Sequence, residues 1–231
     1  MLYLYQRDVG LYDLLRPAKK VPSTWWSSKD PMSVKPRLST ITILVTGLLI
    51  FGAGDAILIA AGVGNTPWTV LAEGIAVKIG WTVGQSTFLV SVLVLFLWIP
   101  LKEKPGVGTI LNAILIAAVI HYMEGFLPNP EKFEWQILQV LVGSILVGIG
   151  SGLYLTANLG PGPRDGWMTG IQRVTGIPIG RVRGSIEISV LVIGWLLGGT
   201  FGIGTIIFAL IIGPVVASCL NLAGKVGSVE S

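Results

Sequence analysis

The sequence predicts an all-α polytopic membrane protein. Six transmembrane helices and two short re-entrant or interfacial half-helices are expected, arranged as a 3+3 inverted repeat. Three observations carry this expectation. First, 52% of the 231 residues are hydrophobic and only 12% are charged, with a mean hydropathy of +0.76. Too few polar side chains remain to cover a water-facing surface, and a disordered chain is excluded for the same reason. Second, the apolar residues fall into runs long enough to cross a bilayer. Third, the chain matches itself at an offset of 96 residues.

Residues 1–39 precede the first run. They lack a continuous apolar core of the kind a signal peptide needs. They hold seven basic residues against three acidic ones, and are read as a basic cytoplasmic tail. Its start, MLYLYQRDVGLYDLL, fits an interfacial helix as well as a flexible segment. Trp25 and Trp26 are placed to dip into lipid headgroups.

Six apolar runs follow: Ile41–Ala61, Trp81–Leu101, Val107–Met123, Ile137–Ala157, Ser185–Phe201 and Gly202–Leu222. Most reach roughly 17–21 residues, the length a helix needs to cross the hydrocarbon core. Trp68, Trp81, Trp98, Trp135, Trp167 and Trp195 lie near run ends, as an interfacial belt would place them. Pro67–Gly80 and Pro163–Gly176 are also helical in pattern, but ~21 Å of helix is too short to span. Both also carry charge, so they are read as half-helices.

Charge supports six spans. With the N-terminus inside, 14 of the 16 Lys and Arg fall on the inner side, and only Lys78 and Lys132 lie outside. This follows the positive-inside rule. An eight-span arrangement moves Lys102, Lys104 and Arg164 outside and ranks second. The membrane region then divides into one repeat at 40–126 and another at 136–222, with 223–231 a second cytoplasmic tail.

The self-match aligns 43–120 with 139–216 without a gap. Twenty positions are identical, and nine of them are Gly. Each copy holds three spans, an odd number, so the second copy enters the membrane inverted. Broken helices at the interface of inverted repeats form the sites of many transporters. Two small-residue stripes, Gly52-Ala56-Ala60 and Ser144-Gly148-Gly152, are expected to let helices pack closely inside the molecule.

The starts of the half-helices are the first candidate site. Pro67 and Pro163 each suit a first helical position, with Thr66 a cap for the first. Exposed N–H groups and the positive dipole end favour an anion there. Asn65, Thr66, Trp68, Thr69, Arg164 and Asp165 are therefore the candidate substrate-binding residues, with an Arg164–Asp165 ion pair as the structural alternative. Coupling or gating candidates are the polar residues of the spans. Asp55 lies inside the first, where a carboxylate is costly unless protonated, paired or hydrated. His121 is the only His and ends the third span on the same side, so it is a candidate relay partner for Asp55. Asn112 is placed to bond another helix, Asp55 included, or to line a path. Glu187 stands four residues from Arg183 and shares its helix face, which favours a structural pair. Glu73 and Lys78 are expected to be solvated.

No nucleophile motif, phosphate loop or metal-ligand cluster is present. One His and one Cys leave no ligand set for zinc, so no cofactor, metal or enzymatic activity is expected. The basic residues lie beside the membrane, which points to lipid rather than nucleic acid.

The segments GVGNTPWTVLAEG, LWIPLKEKPGVGTILNA, LGPGPRDGWMTGIQRVTG and GGTFGIGTIIFALIIGP resemble the bacterial YczE/YitT-type integral membrane proteins over about residues 40–220. In that family the first half-helix usually opens Gly-x-Gly-Pro-Trp, and here it reads Gly64-Asn65-Thr66-Pro67-Trp68. The resemblance implies a multi-pass inner-membrane protein and no particular substrate. The leading expectation is thus an inner-membrane transporter or channel-like protein for a small solute, an anion being the favoured kind, with both termini cytoplasmic. The alternatives are a non-transporting accessory or scaffold protein and the substrate-binding subunit of an uptake complex. Expected partners are the lipid bilayer, a small solute, and a second copy or another membrane protein.

Overall fold

The computed structural model describes residues 21–228. The interfacial helix expected at the extreme N-terminus lies outside them. Among the described residues the regular secondary structure is helical, apart from one isolated β-bridge between Thr24 and Ser228. The helices are α1 (Leu38–Ala61), α2 (Pro67–Ile79), α3 (Val83–Phe96), α4 (Trp98–Leu101), α5 (Val107–Met123), α6 (Phe133–Ala157), α7 (Pro163–Thr175), α8 (Ile179–Leu196) and α9 (Ile203–Gly227).

Among the described residues, four helical segments are long and apolar enough to cross a membrane: Leu38–Ala61, Val83–Leu101, Phe133–Ala157 and Ile203–Gly227. The other two expected spans differ from this standard. α5 is apolar but has 17 residues, ~26 Å of helix. α8 starts six residues before the expected run and carries Arg181, Arg183 and Glu187 in its first half. The half-helices fall where Pro and Gly place them, because Pro starts each and a left-handed Gly80 or Gly176 ends each. The last helix runs on to Gly227, through most of the expected second tail.

Helices α1 and α6 form the central pair. Both are smooth enough at glycine for backbone to meet backbone. A Cβ on Gly54 would lie 2.7 Å from the carbonyl oxygen of Gly143, and one on Gly143 would lie 2.7 Å from that of Gly54. Gly47 and Gly150 meet in the same reciprocal way, a Cβ on Gly47 falling 2.9 Å from the Gly150 oxygen. Gly47 meets Gly150 while Gly54 meets Gly143, so the two helices run antiparallel. The small-residue stripes do a different job. Gly52 lies against Val119 of α5, while Gly148 and Gly152 lie against Val215 and Cys219 of α9.

The connecting loops cross over. After α1, Val63 accepts from the N–H of Gly204 at the start of α9 (2.9 Å). After α6, Leu159 accepts from Gly108 at the start of α5 (2.7 Å). The half-helices cross in the same sense: α2 packs on α8, and α7 packs on α3 and α4. One contact has no counterpart. α3 packs closely on α5, whereas α8 and α9 make little or no contact. Among the described residues, the positive-φ positions are Gly62, Gly64, Gly80, Lys102, Asn158, Gly160, Gly176 and Gly198. They form four pairs, each 96 residues apart.

Two tryptophan expectations are corrected. Trp81, Trp135 and Trp195 are half exposed, as a belt requires, but Trp68 and Trp98 are core residues. Trp98 lies over Gly166 of α7 and donates its indole N–H to the Pro163 carbonyl at 2.9 Å. Trp25 is exposed, but Trp26 is buried and donates to the Thr156 hydroxyl at 3.0 Å. Ser28 N–H bonds the Ala157 carbonyl, and Trp25 N–H bonds that of Gly227. The segment before α1 is thus strapped across the ends of α6 and α9.

The central glycines give a direct test. Gly54→Val forces a branched side chain against the Gly143 backbone, and overpacking of this kind costs about 1–3 kcal/mol. Gly213→Ala adds a Cβ with nothing within 4 Å and gains ~0.5–1 kcal/mol of helix propensity. In detergent, the thermal midpoint should fall for the first variant and hold or rise for the second.

Candidate functional site

The two half-helices start next to one another. The rings of Trp68 in α2 and Trp167 in α7 meet edge to face at 6.3 Å. The Arg164 guanidinium lies over the Trp68 ring, 5.2 Å from its centroid. A cation over an indole face is stabilised by about 0.5–2 kcal/mol, more as water is removed. Trp68 and Arg164 are 96 residues apart, so the self-match pairs the two residues that touch.

Each half-helix is tied to a long helix by a carboxylate and a hydroxyl, with the roles exchanged. In the first, Asp55 of α1 accepts from the Thr69 hydroxyl of α2 at 3.4 Å. In the second, the Tyr154 hydroxyl of α6 donates to Asp165 of α7 at 2.7 Å. The second bond is shorter, and Asp165 also sits in the first turn of its helix, where the dipole favours negative charge. Asp55 is held less well. It is 0% exposed, and its Oδ1 has no hydrogen-bond partner.

The start of α2 is already satisfied. Thr69 N–H donates to the Thr66 hydroxyl (3.3 Å), and the two hydroxyls share a 2.7 Å bond. The start of α7 has Gly162 at the cap position and no side-chain cap. A cavity of about 40 Å³ opens beside it, lined by Phe51, Thr87, Ser91, Asn112, Tyr154, Arg164 and Asp165 among others. A Cβ on Gly162 would lie 3.2 Å from the Asn112 amide nitrogen, so that side chain reaches the start of α7. Thr87 is 2% exposed and its Oγ1 has no partner. Among the described residues, the Arg164 guanidinium makes no hydrogen bond or ion pair. It is within electrostatic reach of Asp55, Asp165, Tyr154 and Glu187. Polar groups without partners are costly where water is excluded, and Thr87 and Arg164 both line this cavity.

Arg164, Asp165 and Asn112 therefore line this cavity, and Thr66, Trp68, Thr69 and Asp55 join them at the half-helix starts through the Trp68–Arg164 contact and the Thr69–Asp55 bond. Three expected residues do not. Asn65 is turned into a separate clasp: its amide donates to Glu73 at 2.8 Å. Glu73 also accepts from the backbone N–H and the hydroxyl of Thr200, both at 2.7 Å. Glu73 is thus bonded rather than solvated, because a residue 127 positions away supplies the donors. His121 bonds Thr82 through Nδ1 at 2.8 Å and lines a separate open groove of about 510 Å³ with Trp81, Gln85 and Phe88. It is not a partner of Asp55, and neither is Asn112, since Thr69 takes that place. Glu187 pairs with Arg183 at 2.8 Å, the structural role expected for it. Arg164 and Asp165 do not form the alternative ion pair.

Thr87, Ser91 and Tyr154 line the cavity and were not among the expected residues. A signal for the first two was present: they lie four residues apart, hence on one face, in an otherwise apolar run. The self-match pairs Thr87 with Arg183 and Ser91 with Glu187. The second half thus carries an ion pair where the first carries two hydroxyls.

Comparison with known proteins places this arrangement in a family. The model of a family of unknown function, DUF6198, matches residues 38–221. A Haemophilus influenzae protein named "Uncharacterized protein" is 41% identical over 210 residues, covering 91% of this chain and 95% of its own. The Bacillus subtilis "Uncharacterized membrane protein YczE" is 32% identical over 176 residues, covering 75% and 82%. Bacillus subtilis YyaS is 27% identical over 165 residues, covering 70% and 82%. No solved structure matches. The matched span takes in every described helix from α1 through most of α9, with both half-helices and the whole cavity, and on that basis the chain is a membrane protein of the DUF6198 family, related to YczE.

Proposed function

We propose that the chain is a bacterial inner-membrane transporter for a small anionic solute, built as an inverted repeat of three spans and a half-helix. The observation that carries the proposal is the Arg164 guanidinium, without a hydrogen bond or ion pair, on the wall of a small cavity where the half-helices start. Arg164 supplies fixed charge and up to five N–H donors to an anion, while Asn112 and Thr87 supply uncharged donors. Asp55 and Asp165 hold Arg164 in place when no solute is bound.

The inverted-repeat reading has its own support. Antiparallel α1 and α6 meet through reciprocal glycine contacts. The cross-over bonds of Val63 and Leu159 repeat at the same offset. So do the left-handed residues. Alternating access by rocking of one repeat against the other is the usual mode of such architectures. The bias of the basic residues supports a cytoplasmic side for both termini.

Two measurements test this reading. Purified protein in liposomes should take up a small anion, and Arg164→Ala should reduce uptake to that of protein-free vesicles, with Arg164→Lys retaining part of it. Uptake unchanged in Arg164→Ala removes Arg164 from the site. For topology, Lys78 and Val174 are exposed and matched. In a Cys219→Ser background, a membrane-impermeant thiol reagent should label Lys78→Cys in intact spheroplasts. It should label Val174→Cys only after permeabilisation. Labelling of both from one side excludes inversion.

A further inference from the structure

We infer that the protein has a second state in which α8 closes on α9 through Gly180 and Gly213, as α3 closes on α5 through Gly84 and Ala117 in this structure. This rests on the reading of the halves as an inverted repeat and names the helices that gate it. The first half shows the closed seam. A Cβ on Gly84 of α3 would meet the backbone nitrogen of His121 and lie 2.6 Å from the Ala117 carbonyl oxygen of α5. Helix therefore rests on backbone, and Phe88 and Ile114 flank the seam along one groove. The self-match carries Gly84 to Gly180, Phe88 to Gly184, Ile114 to Leu210 and Ala117 to Gly213. The second half thus keeps the surfaces for the same contact and makes them smoother. Yet α8 and α9 make little or no contact. Among the described residues, a Cβ on Gly180, Gly184 or Gly213 would have nothing within 4 Å. Glycine weakens a helix relative to alanine, and in membrane helices it serves where another helix comes close. Three glycines that face nothing here are accounted for by a contact made in another state.

The rest of α8 allows the movement. Its far end is anchored on α2: a Cβ on Gly194 would lie 2.6 Å from the Val70 carbonyl carbon, and one on Gly74 would lie 2.8 Å from the Leu197 Cβ. The matched end of the first half is anchored too, by Trp98 over Gly166. The halves therefore agree at the anchored ends and differ at the free ones. At the free end of α8, Arg183 pairs with Glu187 of the same helix, which ties it to no neighbour. Val182 is buried there, and its match Ser86 is buried in the closed half, so that face stays covered whether the seam is open or shut. Arg181 matches Gln85, which is exposed at the rim of the closed seam, so closure leaves its guanidinium at the edge. On the inverted reading, the Gly84 seam lies toward the outer side and the Gly180 seam toward the cytoplasm. This structure is then the state open toward the cytoplasm. Closing α8 on α9 while α3 parts from α5 gives the opposite one.

Paired cysteines in full-length Cys219→Ser protein test this in membranes. Phe88→Cys with Ile114→Cys marks the first seam, and Gly184→Cys with Leu210→Cys marks the second. A short, reducible bis-methanethiosulfonate reagent that links the first pair should also link the second, read by mass spectrometry of the joined peptides. Linking the second pair should stop uptake of chloride or nitrate into liposomes, and reduction should restore it. Gly180→Leu places its side chain in open space here, so its thermal midpoint should hold while the second link is lost. A second pair that stays unlinked where the first links overturns the closure, whether or not Gly180→Leu folds. Linking only between chains, seen as a dimer of the single Leu210→Cys variant, also overturns it, because a second copy then covers the face. A second link formed in protein whose Lys78→Cys and Val174→Cys label from one side overturns the inverted reading and leaves the closure standing. A second link formed in protein that moves no anion overturns the anion site and leaves the closure standing.

Discussion

The close approach of α1 and α6 at Gly47, Gly54, Gly143 and Gly150 is the constraint on which the remaining structure depends. In a bilayer no hydrophobic driving force separates helix from lipid, so helices associate through packing and hydrogen bonds. Four positions without side chains let two backbones touch along one seam. That seam sets the distance between the halves. The cross-over bonds of Val63 and Leu159 reach the opposite half only because the seam is narrow. The same spacing brings Trp68 and Arg164 into contact. A side chain at any of the four glycines would therefore be felt at the cavity, which none of them lines.

Around that seam the halves share a backbone plan and differ in polar chemistry. The first half holds its half-helix with an acid on the long helix and a hydroxyl on the short one; the second reverses them. The first presents Thr87 and Ser91 to the cavity; the second presents an Arg183–Glu187 pair that is partly exposed. The first closes α3 against α5, whereas α8 and α9 stand apart. The two halves match where backbone packs on backbone and differ in the polar groups around the cavity.

Much of this plan was legible in the sequence because it is written in residues with strong local rules. Pro67 and Pro163 start helices, Gly80 and Gly176 end them, and the half-helices appear within a residue of their expected bounds. Arg164 and Asp55 stood out because charge is rare in such a chain. What local rules miss is set by distant partners. Glu73 reads as a solvated residue until Thr200 is brought to it. His121 reads as a relay until Thr82 takes its Nδ1. Trp98 reads as a belt residue until Gly166 makes room beneath it. Each depends on a contact between segments that neither segment's own pattern records, whether 39 or 127 residues apart.

The Trp68–Arg164 contact has a consequence for how such a molecule can arise. A twofold interface between identical chains obliges a residue near the axis to face its own copy. Two arginines there would repel in a medium that screens poorly, and two tryptophans would leave the cavity without a cation. Joining the copies in one chain lifts that obligation, since each position can then change alone. A lone cation facing an aromatic ring across matched positions is chemistry open to a fused pair and closed to a homodimer. If the chain is the fused pair proposed above, the offset of 96 residues is the register at which matched positions became free to differ.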